Sequence, residues 1–207
     1  MRNNPFALSP SVPIRPPLLA LVLLAAPILS PRAPADAAAD DLRLGLEDAG
    51  EIQKAGGALE GGVAFASGKE GQAAILKGGA HLSFPTEGRF DPREGYLEMW
   101  VRPEWPADDK NRHAFFHTGD ANSHATVFLT PERALVFTYK GSPATWRAVQ
   151  IRDSNWKPGV WRRIAAAWKE TGGEGVALCL WLDDRTAAQG GATRLPQTPA
   201  RFLIGSR

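Results

Sequence analysis

The segment Val176-Ala177-Leu178-Cys179-Leu180-Trp181-Leu182 decides the fold class. Val176, Leu178, Leu180 and Leu182 alternate strictly with Ala177, Cys179 and Trp181, the period of a strand that buries one face. Asp183-Asp184-Arg185 is a turn leading into a short strand, Thr186 to Gln189. Upstream, Trp161 to Lys169 places Ile164 and Trp168 on one face. Gly95 to Arg102 sends Leu97, Met99 and Val101 one way and Glu98, Trp100 and Arg102 the other, and Pro103 ends it. His113 to His117, Thr126 to Thr130, Ala134 to Tyr139 and Trp146 to Ile151 lie between turns such as Pro131-Glu132-Arg133 and Gly141-Ser142-Pro143. Arg201 to Ile204 reads as the last strand, and Leu42, Leu44 and Leu46 predict the first. Gly78-Gly79 predicts a hairpin between Ala73 to Lys77 and His81 to Phe84. No segment sustains a helical period beyond one turn at Glu51 to Lys54. Many short strands at regular spacing predict an all-β, antiparallel two-sheet β-sandwich.

Composition agrees with a folded domain. The chain has 207 residues, 43% of them hydrophobic and 22% charged, which excludes a disordered chain or a collagen-like repeat. The N-terminus differs from the rest. Arg2 and Arg15 precede the apolar run Leu18 to Ala26, and Ala35-Asp36-Ala37 and Ala37-Ala38-Ala39 offer small-residue cleavage sites. Residues 1–39 therefore read as a secretory signal and spacer, and residues 40–207 as the domain. The apolar run is shorter than the roughly 20 residues a membrane span needs, and Pro27 interrupts it. The expected location is secreted, periplasmic or at the cell surface, with no membrane insertion after cleavage.

Removing 1–39 takes Arg2, Arg15, Arg32 and Asp36 with it, which brings 24 basic and 22 acidic residues to equality. A neutral domain carries no electrostatic footprint for nucleic acid. Arg162-Arg163 and Lys110-Asn111-Arg112 read as solvated faces. Cys179 stands alone, so no internal disulfide forms, and it reads as a small residue packed in a strand.

The ordered set of these segments resembles the laminin-G-like, concanavalin A-like jelly rolls. Leu97 to Pro103 is similar to the strand that opens their sheet core, Trp161 to Trp168 to their tryptophan-flanked strand, Leu180 to Asp184 to the strand and turn after it, and Phe202 to Ser206 to the one beyond. Gly71 to Phe84 resembles their early strand pair. The resemblance runs from about Leu42 to Arg207. It departs from the family where Arg162 and Arg163 replace the usual His, and where Asp184 replaces a turn Gly. It implies a further strand beyond Ile204-Gly205, lying beside the first one; either the domain is truncated there, as the N-terminal part of a larger protein, or the sandwich closes differently. The fold hosts lectins, adhesion modules and hydrolases, so it does not fix a function.

Candidate sites follow from residue chemistry. Glu94 and Glu98 have the outer spacing of the Glu-x-Asp-x-Glu strand of jelly-roll glucanases, but Tyr96 occupies the centre where a carboxylate would tune the pair. Trp105, Trp146 and Trp156, outside the family-typical Trp positions, are the candidate carbohydrate-stacking residues. Asp120 and Asn122, in the loop Gly119 to Ser123, are the candidate calcium ligands. His81, His113, His117 and His124 are scattered and read as ordinary strand and loop histidines rather than zinc ligands. The expected function is a non-catalytic binding module for carbohydrate, a cell-surface glycan or a protein partner. A glycoside hydrolase or a purely structural adhesion or spacer domain is the alternative.

Overall fold

The computed structural model describes residue 42 and residues 44–205 except 174, with the side chains of 188–191 also outside the description. The predicted signal and spacer at 1–39 lie outside the described residues. Among the described residues, one short helix, α1 (Ala49–Lys54), precedes thirteen strands: β1 (Ala58–Glu60), β2 (Ala64–Ser67), β3 (Gln72–Ile75), β4 (His81–Pro85), β5 (Glu94–Val101), β6 (His113–Gly119), β7 (His124–Leu129), β8 (Ala134–Lys140), β9 (Trp146–Arg152), β10 (Arg162–Gly172), β11 (Gly175–Leu182), β12 (Arg185–Thr193) and β13 (Arg201–Gly205). A seven-stranded sheet runs β1-β4-β13-β6-β7-β8-β9, a four-stranded sheet runs β12-β11-β10-β5, and β2 and β3 form a separate pair. Every pairing is antiparallel. The chain is a two-sheet antiparallel sandwich.

The alternation read in the sequence fills the space between the sheets. Val176, Leu178, Leu180 and Leu182 are buried from one side, and Leu135, Phe137 and Tyr139 of β8 from the other. Trp168 centres this layer, with ring centroids 5.1 Å from Phe90 and 6.2 Å from Phe137. Its indole Nε1 donates to the Asp91 carbonyl at 2.8 Å, and the Tyr139 hydroxyl donates to the neighbouring Pro92 carbonyl at 2.5 Å. Two buried polar tips thus satisfy the chain entering β5. A Cβ at Gly95 would stand 2.2 Å from Trp168 Cζ2, so only glycine lets that indole lie over β5.

Two sequence expectations fail at the N-terminal end. Leu42, Leu44 and Leu46 pack against the core, but they form no strand. Leu46 has φ 58, a left-handed backbone that a strand cannot continue through. The chain turns there into Asp48, whose carboxylate caps α1 by accepting from Glu51 N at 2.8 Å. The predicted hairpin around Gly78-Gly79 does not form either. β3 pairs back to β2, while β4 joins β1 and β13 in the larger sheet. Gly78 and Gly79 (φ 60 and 86) make a crossover between sheets, where successive positive φ serves a turn equally well. Among the described residues, β5 pairs with β10 alone, and its other edge carries no strand. Glu94 and Glu98 put charge on that open edge.

A third correction concerns Arg162, expected on a solvated face. It is 7% exposed. Its Nε donates to Asp183 Oδ2 at 2.6 Å, Nη2 to Asp153 Oδ2 at 2.7 Å and Nη1 to the Asn155 carbonyl at 2.9 Å. Its guanidinium lies 5.1 Å from the Trp156 ring centroid. Burial pushes the Asp153 carboxyl up, but the Arg162 hydrogen bond and charge outweigh it and hold the carboxyl below its ordinary value. The positive φ of the β11–β12 turn falls on Asp183 (φ 54), one residue before the expected Asp184. Asp tolerates that conformation. Here its carboxylate also receives Arg162 Nε and, at 2.9 Å, Arg163 N.

Candidate functional site

The two outer faces of the sandwich differ in charge arrangement. On the four-stranded sheet the charges are paired. Glu94 faces Lys169 at 3.9 Å and Glu98 faces Arg163 at 3.1 Å. The Tyr96 hydroxyl donates to Glu98, and burial together with that bond pushes the phenol up to about 12. Glu94 and Glu98 thus turn to different cations with Tyr96 between them, and the structure does not bring them together as an acid–base pair. Cys179 is a partly buried thiol on this face of β11, and burial pushes it up, away from thiolate.

The outer face of the seven-stranded sheet is built differently. Antiparallel register sets Leu203, His117, Thr126, Thr138 and Ala148 in one cross-strand row. The next row holds Gly119, His124, Lys140 and Trp146. Directly opposed residues on neighbouring strands point to the same face, so these rows form one surface. A cleft of about 480 Å³ opens on it, lined by Arg112, His117, Gly119, Asp120, Ala121, His124 and Thr126.

Short-range chemistry fixes the cleft. Gly119 has φ 95, and a Cβ there would meet the Ser123 carbonyl oxygen at 2.1 Å, so the β6–β7 turn needs glycine. Asp120 N donates to the Ser123 carbonyl at 2.8 Å. Asp120 Oδ1 accepts from Asn122 N at 2.7 Å and Ser123 N at 2.9 Å, and these bonds hold the carboxyl below its ordinary value. The His124 Nδ1 donates to the Asp120 carbonyl at 3.0 Å, which leaves Nε2 as the acceptor in the neutral ring. Burial pushes the His124 imidazole down; its bond to Asp120 resists this, and Lys140 and Arg112 push it further. His117 Nδ1 lies 2.8 Å from Thr126 Oγ1, and the two imidazole centroids are 6.1 Å apart. Lys140 Nζ donates to the Ala121 carbonyl at 2.7 Å, which places an ammonium on the rim. Arg112 lays its guanidinium 3.6 Å over the Phe128 ring.

The predicted ligand residues separate on burial. Trp146 is 52% exposed at the end of the row that leads into the cleft. It stands two strand spacings from His124, about 10 Å. Trp156 is 1% exposed, stacked on Phe115 with centroids 5.9 Å apart, and covered by Arg162. A ring enclosed in this way presents no face to a sugar, so Trp156 is a core residue. Trp105 is partly buried, with one face covered by His113 at a centroid distance of 3.7 Å and an interplanar angle of 9°. His113 is itself held by Asp109 at 3.0 Å. Neither Trp105 nor Trp156 shares the Trp146 surface.

The calcium expectation at Asp120 and Asn122 has no constellation around it. Asp120 Oδ1 is occupied by turn N–H groups, and the neighbouring charges are the cations Lys140 and Arg112. Among the described residues no three His, Cys, Asp or Glu side chains gather as metal ligands. Sequence reading missed the pairing of His117 with His124 and the role of Arg112 and Lys140. The signal was the turn Gly119 to Ser123, which fixes the hairpin register and with it the cross-strand neighbours.

The geometry matches known folds. The chain has the concanavalin A-like lectin and glucanase jelly-roll fold. A botulinum neurotoxin DC binding domain in complex with sialylT aligns with a TM-score of 0.53 at 12% identity, over 73% of this chain and 38% of that one. The mouse laminin α1 chain domains LG4-5 align with a TM-score of 0.43 at 11% identity, over 54% and 28%. An endo-β-1,4-glucuronan lyase from Trichoderma reesei aligns with a TM-score of 0.45 at 13% identity, over 72% and 75%. The chain thus spans less than half the length of the laminin and toxin chains it aligns with. No protein-family model matches the sequence, and neither does any curated protein.

Proposed function

We propose that this protein is a secreted or periplasmic, cell-surface binding module that takes carbohydrate on the outer face of its seven-stranded sheet. The observation that carries the reading is Trp146, a large aromatic side chain that is 52% exposed on the face that holds the cleft, in one cross-strand row with Lys140 and His124. An exposed indole offers the flat apolar surface on which sugar rings stack, and the hydroxyls need donors and acceptors nearby. His124 and Lys140 supply such groups in the row that ends at Trp146, and Arg112 and Asp120 add others in the cleft. The separation of about 10 Å between Trp146 and His124 suits an oligosaccharide lying across the strands rather than a single ring. The botulinum neurotoxin DC binding domain of the same fold was solved in complex with SialylT, which agrees with a glycan-binding use.

Catalysis receives no support from Glu94 and Glu98, which carry separate ion pairs on the opposite face. The test is a thermal melt of the purified protein with a panel of soluble neutral and acidic polysaccharides, because a ligand of the folded state raises the midpoint. One or more polysaccharides should raise it, and Trp146→Ala should abolish the shift while leaving the unliganded midpoint unchanged. A panel that shifts nothing overturns the reading in favour of a structural domain.

A further inference from the structure

We infer that the cleft on this face selects an acidic glycan, one whose sugars carry carboxylates, through Arg112 and Lys140. The inference rests on the carbohydrate reading above and names the class of sugar.

Its basis is an imbalance of charge. Arg112 is exposed and stacks on the Phe128 ring, and among the described residues it forms no ion pair, although Asp120 lines the same cleft. Lys140 donates to a backbone carbonyl and forms no close ion pair among the described residues, although its charge acts on Asp120. Arg201, on β13, binds Ser83 Oγ at 2.6 Å and the Ser83 carbonyl at 2.8 Å, and likewise forms no ion pair among the described residues. The other face behaves oppositely, each of Glu94 and Glu98 having its own cation. A cation left without a counter-charge beside a concave polar site is an anion subsite in waiting, and Arg offers carboxylates two parallel N–H bonds. Stacking on Phe128 pre-organises that guanidinium.

The one carboxylate in the cleft offsets only part of this charge. Asp120 is ionised, held so by two turn N–H groups and by the charge of Lys140, and stands as one acid against the two cations Arg112 and Lys140, whose ammonium sits against the carbonyl of the next residue, Ala121. An incoming carboxylate therefore meets Arg112 and Lys140, with the His124 ring between strands beside them. Trp146, at the far end of the Lys140 row, stacks on the neighbouring ring of the same chain of sugars.

Calorimetric titration tests this with three polymers: polygalacturonate, the same polymer after carboxyl reduction, and a sulfated galactan. Polygalacturonate should bind about tenfold or more tightly than its reduced form, the scale of one charge-assisted hydrogen-bond pair. Arg112→Gln, and independently Lys140→Gln, should shrink that preference to a few-fold, with unchanged melting midpoints because both side chains lie at the surface. Trp146→Ala should weaken the acidic and reduced polymers alike. Equal binding of the two galacturonan forms overturns the inference while the carbohydrate reading stands. Binding of the sulfated polymer that exceeds polygalacturonate and survives both substitutions also overturns it, as general polyanion attraction. Binding of none of the three overturns the inference, and the carbohydrate reading is then decided separately by its own melt panel of neutral and acidic polysaccharides.

Discussion

Replacing Arg162 by Ala should destabilise this domain more than any surface charge change. The side chain is 7% exposed and holds Asp153, Asp183 and the Asn155 carbonyl at once. Its removal leaves the Asp153 carboxylate, 11% exposed, with the Asn155 N–H at 2.8 Å and, as its one cation among the described residues, Arg185 at 3.5 Å. Breaking a buried pair from one side costs about 3–5 kcal/mol. The lower end applies here, because Asp183 is 38% exposed and keeps its bond from Arg163 N. At about 2–4 °C per kcal/mol for a domain of this size, a loss of about 3 kcal/mol lowers the midpoint by about 6–12 °C. The assay is a circular-dichroism melt at pH 7, run beside Arg163→Ala. Arg163 pairs with Glu98 in a half-exposed setting, so its loss should cost under about 1 kcal/mol. Adding Asp153→Asn to Arg162→Ala should recover part of the loss by removing the orphaned charge. Equal shifts for Arg162→Ala and Arg163→Ala would refute the reasoning, since burial would then be making no difference.

Other expectations follow from the same contacts. Trp156→Ala should cost about 3–5 kcal/mol in a denaturant melt, while Trp146→Ala leaves stability within about 0.5 kcal/mol and removes glycan binding. Gly95→Ala forces a Cβ against Trp168 Cζ2 and should lower stability by about 1–3 kcal/mol, measured in urea. His113 is pushed down by burial against the pull of Asp109, and His124 by burial against its bond to Asp120. The unfolded chain therefore takes up protons more readily below pH about 6.5, so stability is full above that value and declines as pH falls through it. Melts from pH 7.5 to 5.5 should show this slope, and His113→Asn should flatten it. The Cys179 thiol, pushed up by burial, should react with a soluble disulfide reagent at pH 7.5 more slowly than free cysteine, read by absorbance.

The core was legible in the sequence because strand period is a local property. Val176 to Leu182 and Leu97 to Val101 each announce their buried face through alternation alone, and β11 and β5 present those residues inward. The Leu42–Leu46 alternation misled for a reason that is not local. A strand needs a hydrogen-bonding neighbour, and the left-handed Leu46 and the Asp48 cap send that segment elsewhere. Tryptophan exposure was equally hidden. Trp146 and Trp156 lie ten positions apart in similar polar company, yet the first is half exposed and the second enclosed by Phe115 and Arg162.

By itself, then, the sequence determined the all-β class, nearly every strand of the two sheets and the turns between them, since periodicity and turn chemistry act over a few residues. Only the tertiary structure decided which cations find acids. Arg162 gathers Asp153 and Asp183 from 9 and 21 positions away, while Arg112 and Lys140 form no close ion pair among the described residues. Such pairings depend on which strands the fold sets side by side, and energies between charges follow distance and burial in space rather than separation along the chain.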